Sequence, residues 1–173
     1  MRLIHTQTVC ISLLIIGLTF TYARSGLTQA TGEVGEMDRL EQKAEDAIAN
    51  GDPEGAALSI GKAALMANLL AQKEDVTRQI RLLYQAADTL FRGQEQGYRA
   101  LALFERAGGQ LPASQGVCQY LSQAADKVKQ SQNDLKALAD FTNESFRERQ
   151  QRHIGKTQEW EGLLQGLQED LSC

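Results

Sequence analysis

A chain of 173 residues, 42% hydrophobic and 23% charged, has the length of one folded domain and whatever precedes it. Its 18 Lys and Arg against 22 Asp and Glu leave a net charge of −4, and no basic run interleaved with aromatics offsets it, which argues against a nucleic-acid backbone as partner. Ala, Leu, Gln, Glu and Arg dominate, β-branched residues thin out after the N-terminus, and the two prolines fall at expected helix boundaries, so the expected fold is all-α.

The N-terminus is a different material. Arg2 and His5 precede an almost wholly apolar run, Val9 to Phe20, and the chain then turns polar at Thr21-Tyr22-Ala23-Arg24-Ser25. A basic start, about a dozen apolar residues and small residues spaced for cleavage form the layout of a secretory signal, predicted here over 1–25. Thr21-Tyr22-Ala23 and Ala23-Arg24-Ser25 both fit the small-x-small rule, with Thr28-Gln29-Ala30 a weaker option. The alternative is an uncleaved membrane anchor, but a spanning helix wants about 20 apolar residues and the run falls short. Cys10 sits too early for a lipoprotein signal. The expected location is therefore export, periplasmic or secreted. From Gly26 onward the charges are 16 Lys and Arg against 22 Asp and Glu, and 26–36 reads as a flexible linker.

Seven helices are predicted beyond the linker. The first spans 37–50, with Leu40, Ala44, Ala47 and Ile48 on one face. Asn50-Gly51-Asp52-Pro53 is clear punctuation: Gly51 suits a left-handed C-terminal cap, Asp52 an N-cap and Pro53 a first turn. The second helix, 53–72, presents Ala56, Ile60, Ala63 and Ala67, with Leu58 and Leu70 placed near the same seam. The third carries Val76, Ile80, Leu83, Ala87, Leu90 and Phe91 and is expected to end near Arg92-Gly93. The fourth covers 95–107 and is closed by Gly108-Gly109 and Pro112. The fifth, 113–131, carries Val117, Leu121, Ala124 and Val128. The sixth carries Leu135, Leu138, Phe141 and Phe146 before a polar run, and the seventh follows Gly155 with Trp160, Leu163, Leu164, Leu167 and Leu171 in a stripe. The last two are open to being one helix with a soft spot at Gly155.

Three helix pairs share one spacing. Leu40 and Ala56, Tyr84 and Ala100, and Leu121 and Ala137 each lie 16 apart, and Ile60, Phe104 and Phe141 follow one turn later. Ala100, Phe104, Ala107 and Pro112 follow an alanine–x3–aromatic–x2–alanine–x4–proline pattern. The stretch Arg81 to Pro112 thus resembles a tetratricopeptide repeat, a helix–turn–helix unit that binds other proteins. The resemblance implies a short right-handed stack of antiparallel helix pairs over 37–152, closed by a capping helix over 153–173. Two departures stand out. Asp88 occupies a position the family fills with a small residue, and the repeats start about 44 and 37 residues apart where the family uses about 34.

In such a stack the first helix of each pair lines a concave groove. That face would present Asp38, Glu41 and Glu45, then Leu82, Gln85, Thr89 and Arg92, then Gln119, Ser122, Asp126 and Lys129. Graded from acidic to mixed, it would favour a protein or extended peptide with basic character at one end. The three acidic residues would repel a terminal carboxylate, which excludes the carboxylate clamp of some family members.

Little supports chemistry. His153 is the sole histidine after the signal and has no acidic residue three before it. Cys-x-x-Cys-His, a glycine-rich phosphate loop and Gly-x-Ser-x-Gly are all missing, so neither catalysis, metal nor cofactor is expected. With the last three helices alternating in direction, Cys118 and Cys173 would lie roughly 20–25 Å apart, beyond the span of a disulfide. Cys118 is then expected to be a small buried residue and Cys173 a free or intermolecular thiol. The leading expectation is an exported protein–protein interaction scaffold or adaptor. The alternative is an oligomeric helical bundle, a chaperone-like subunit assembling through the Trp160–Leu171 stripe.

Overall fold

The structure is a computed structural model describing residues 32–173; the expected signal and residues 26–31 of the expected linker lie outside the described residues, and 33–36, also expected as linker, form the first turn of α1. Five α-helices follow one another: α1 (Glu33–Ala49), α2 (Pro53–Gln72), α3 (Arg78–Arg106), α4 (Gln115–Ala137) and α5 (Glu144–Asp170). The expected class holds, and the expected count of seven does not.

Where the local chemistry is strong, the boundaries follow it. Gly51 adopts φ 74, the Asp52 carboxylate accepts from the Gly55 N–H at 2.8 Å, and Pro53 opens α2. Thr77, Ser114 and Asn143 cap α3, α4 and α5 with side-chain oxygens. Gly108 and Gly109, at φ 80 and 66, end α3 in the left-handed region that side chains resist.

The largest correction concerns 81–112. No turn interrupts Arg92-Gly93-Gln94: α3 is one helix of 29 residues, so the expected hairpin does not form. Gly93 is there for closeness. A Cβ on it would lie 2.9 Å from Val128 Cγ2 and 3.2 Å from the backbone at Ala124 and Val128, so α3 and α4 meet almost backbone to backbone. The chain does break later, at 138–143, and α5 runs unbroken through Gly155.

Each helix packs against the next, and α3 also touches α5. Consecutive helices alternate in direction, so α1 and α5 both run parallel to α3. Side chains bridge α1 and α5: Arg149 donates to both Asp38 oxygens at 2.6 and 2.9 Å, Arg152 donates to Asp38 at 3.0 Å, and Lys156 pairs with Glu45. Arg149 and Lys156 each stand 111 residues beyond their acidic partners, a constant register for two parallel helices. Met37, Ile60, Leu90, Phe91 and Leu121 fill the main core, and Leu83, Ala86, Leu135 and Phe141 form a second cluster.

α5 closes the molecule. Trp160 meets Tyr98 edge-on with ring centres 5.0 Å apart, above Gly97, where a Cβ would lie 2.6 Å from the indole. Of the Trp160–Leu171 stripe, Trp160, Leu164 and Leu171 are buried in the core, Leu167 is half-buried and Leu163 is 46% exposed. The expectation for the cysteines is overturned too: Cys118 and Cys173 are joined, with Cα atoms 5.3 Å apart. With one helix fewer between them than expected, the start of α4 and the end of α5 lie at the same end of an antiparallel pair. There the Ala113 N–H donates to the Leu171 carbonyl at 3.0 Å.

Candidate functional site

The eleven residues expected to line one groove fall on separate surfaces. Asp38, Glu41 and Glu45 face α5, where Asp38 and Glu45 hold the ion pairs described above and Glu41 is buried. Burial pushes the Asp38 carboxyl up, but the hydrogen bonds and charge of Arg149, aided by Arg152, outweigh it and hold the group below its usual range. Burial raises Glu41 against the pull of Arg152 and Lys156, and one of its oxygens has no partner. Asp126 and Lys129 border a hollow against α5 with Glu161 and Leu164, while Gln119 and Ser122 are exposed on α4. Leu82 and Gln85 border a hollow of about 240 Å³ with Asp134 and Leu138. Thr89 turns its hydroxyl to donate to its own helix, at the Gln85 carbonyl, 3.0 Å away.

On α3 itself a continuous outward seam remains. Gln85, Thr89, Arg92, Gln96, Arg99 and Leu103 recur at steps of four and three, and all are exposed or half-buried. α2 packs along one side of α3 and α4 along the other, without contact between the two flanks, which leaves the seam as the floor of a groove. Its charged members are the two arginines, each paired with carboxylates at its flank. Arg92 lies 3.4 Å from Asp88 and donates to Glu95 at 3.0 Å, and Arg99 donates to the same carboxylate at 2.7 Å. Glu95 is buried beneath these two guanidinium groups and against Gly61 of α2, where a Cβ would stand 3.2 Å from its carboxyl carbon. Asp88, the residue at odds with the repeat pattern, is held only by long contacts, to Arg92 and to Asn68 at 3.4 Å. Gln96 Oε1 is buried without a partner.

The groove deepens at the C-terminal end of α3. Ala57 and Leu58 of α2, Ala102 and Leu103 of α3 and Tyr120 of α4 wall a hollow of about 350 Å³, edged by Arg99 and by the Glu54–Arg106 ion pair. Small residues at 57 and 102 make the depth and large ones at its edge make the wall. Sequence reading missed this part because its three walls come from three helices.

A second feature was also missed. Leu58, Leu65 and Leu69 of α2 point outward, 62%, 54% and 56% exposed, and Leu58 is not in the seam expected for it. The signal was present: the alanines of α2 occupy the inner face, so large leucines between them must face away.

Among the described residues no group of three or more His, Cys, Asp or Glu is placed to hold a metal. His153 is fully buried and neither ring nitrogen has a partner; burial first, then Arg152 and Arg149, lower its pKa to about 3. Among the described residues no helix is long and apolar enough to cross a membrane. No protein-family description, curated protein or solved structure matches the chain.

Proposed function

We propose that this chain is an exported, non-catalytic interaction module that holds an extended or helical segment of another protein along the outward seam of α3. The observation that carries this is the seam itself. A polar row with an unpartnered Gln96 oxygen and two arginines held over the buried Glu95 ends in an apolar hollow with a tyrosine wall. Such a combination supplies direction and register through the polar row, and affinity through one aliphatic or aromatic anchor in the hollow. The Cys118–Cys173 bond supports export, since such bonds persist in oxidising compartments. The tetratricopeptide-like reading loses its helix pair at 81–112 and keeps only helices packed each on its chain neighbour and the α3 residues Gln85, Thr89 and Arg92 on an open face.

The test is recovery of partners from a secreted or periplasmic fraction with two charge reversals. Arg99→Glu, at the edge of the hollow, is expected to lose the partner. Lys129→Glu, on the α5 side of α4, is expected to keep it. Equal recovery by both variants and the parent would remove the seam as the binding site.

A further inference from the structure

The exposed leucines of α2 lie off the groove floor, Leu58 alone shared with the wall of the hollow, and the outward row they belong to is spaced symmetrically about its centre. Along the outward face stand Glu54, Leu58, Lys62, Leu65, Leu69 and, at the C-terminal cap, Lys73. Laid antiparallel on itself, this row sets Leu58 against Leu69, Lys62 against Leu65, and Glu54 against Lys73. An isologous contact needs this property, because one patch must complement itself about a two-fold axis. We propose that the outward face of α2 joins two copies of this chain, α2 against antiparallel α2.

Charge selects a second copy over other occupants. Both ends of the row carry an ion pair, Glu54 with Arg106 at one end and Lys73 with Glu33 at the other. When the ends are exchanged by the two-fold axis, each acid–base pair meets the other with opposite signs available. An anionic lipid surface would instead call for an excess of Lys and Arg, and this rim has two of each sign. In the centre Lys62 lays its aliphatic stem beside Leu65 of the second copy, its ammonium reaching out to water. The contact also covers three leucines that a monomer leaves in water.

The proposal is tested by sedimentation equilibrium of the full chain with its disulfide intact. The parent is expected to show a monomer–dimer equilibrium that shifts with protein concentration. Leu65→Lys, at an exposed position, would crowd four lysines about the axis and is expected to be monomeric at the same concentrations, with an unchanged helical circular dichroism spectrum. Register is read by Leu58→Cys with Leu69→Cys: within one chain the two lie about 16 Å apart along the helix and cannot bridge. Mild oxidation should therefore give a covalent dimer with the double variant, while each single variant should stay uncrosslinked. A parent that remains monomeric up to about 1 mM, the weak limit of specific association, overturns the proposal. So does a dimer indifferent to Leu65→Lys, or crosslinking by the single variants. Leu58 and the Glu54–Arg106 pair border both this face and the hollow, so the two surfaces are told apart by Arg99, which lies outside the α2 row: Arg99→Glu should dimerise normally while losing its partner.

Discussion

His153 is a polar residue in a place that asks for an apolar one. It lies edge-on to Phe91, ring centres 5.7 Å apart, on the inner row of α5 with Gln150, Thr157, Trp160 and Leu164. A neutral imidazole has a donor and an acceptor, and here both are unmet at a cost of about 1–3 kcal/mol. Arg149, Arg152 and Lys156 stand around it on α5, so protonation would add a cation to a group of cations that Asp38 of α1 only partly offsets. The folded pKa, about 3, lies below the unfolded value of 6.5. Between those values the unfolded chain binds more protons, so the stability held near neutrality is lost as pH falls from 6.5 toward 3. By pH 4 the loss is on the order of 3 kcal/mol. Glu41 works in the opposite sense, since its raised pKa lets the folded chain take a proton first as pH drops. Asp38, with its lowered pKa, reinforces His153 at more acidic pH, below the usual carboxylate value of 3.8. His153→Phe should therefore flatten the fall in stability between pH 6.5 and 4, measured as urea midpoints followed by Trp160 fluorescence. An equally steep fall in the variant would place the acid sensitivity elsewhere.

At the scale of the element, Gly93 decides how α3 meets α4. In an isolated helix Gly93→Ala would stabilise by about 1 kcal/mol. Here the methyl would press on Val128 and on backbone that cannot give way. The expected net effect is a loss of about 1–3 kcal/mol, the usual scale of overpacking, read as a lower urea midpoint at constant slope. A stabilised variant would mean the interface is looser than its geometry. The same glycine explains why α3 was misread as two helices. Locally Arg92-Gly93 is helix-ending chemistry, and only the presence of α4 against it makes it helix-interior. The Asn50–Pro53 turn was legible because every residue there acts on its own backbone. The first half of α5 was not, since its buried row begins with Gln150, His153 and Thr157 and carries no apolar period. The acidic row of α1 looked like a binding face for a similar reason: its basic counterpart lies 111 residues away, beyond any local pattern. On α3 the spacing of Gln85, Thr89 and Arg92 was visible, whereas the hollow at Tyr120 needed three helices to be placed first.

For the whole molecule, the disulfide decides whether α5 acts as part of the bundle or as a tail laid on it. α5 touches α3 along a short stretch and α4 more broadly, and ion pairs tie its first half to α1. Its far end is secured by Leu171, by the Ala113–Leu171 backbone hydrogen bond and by the bond from Cys173 to Cys118, which closes a loop over a separation of 55 residues. Loop-closure entropy alone gives such a link about 4 kcal/mol, comparable with the whole stability of a small marginal domain. Cys173 is exposed and a dithiol can reach it. Reduction, or Cys173→Ser, should lower stability by about 2–4 kcal/mol and should first loosen the α5 end nearest the bond. Amide hydrogen exchange would then quicken at 165–173 and in the first turn of α4, while exchange at the ion-paired start of α5 stays slow. Uniform quickening along α5 would mean that the helix docks as one unit with the bond as its single clasp. Unchanged exchange and an unchanged urea midpoint would mean that the packing of Trp160, Leu164 and Leu171 suffices without it.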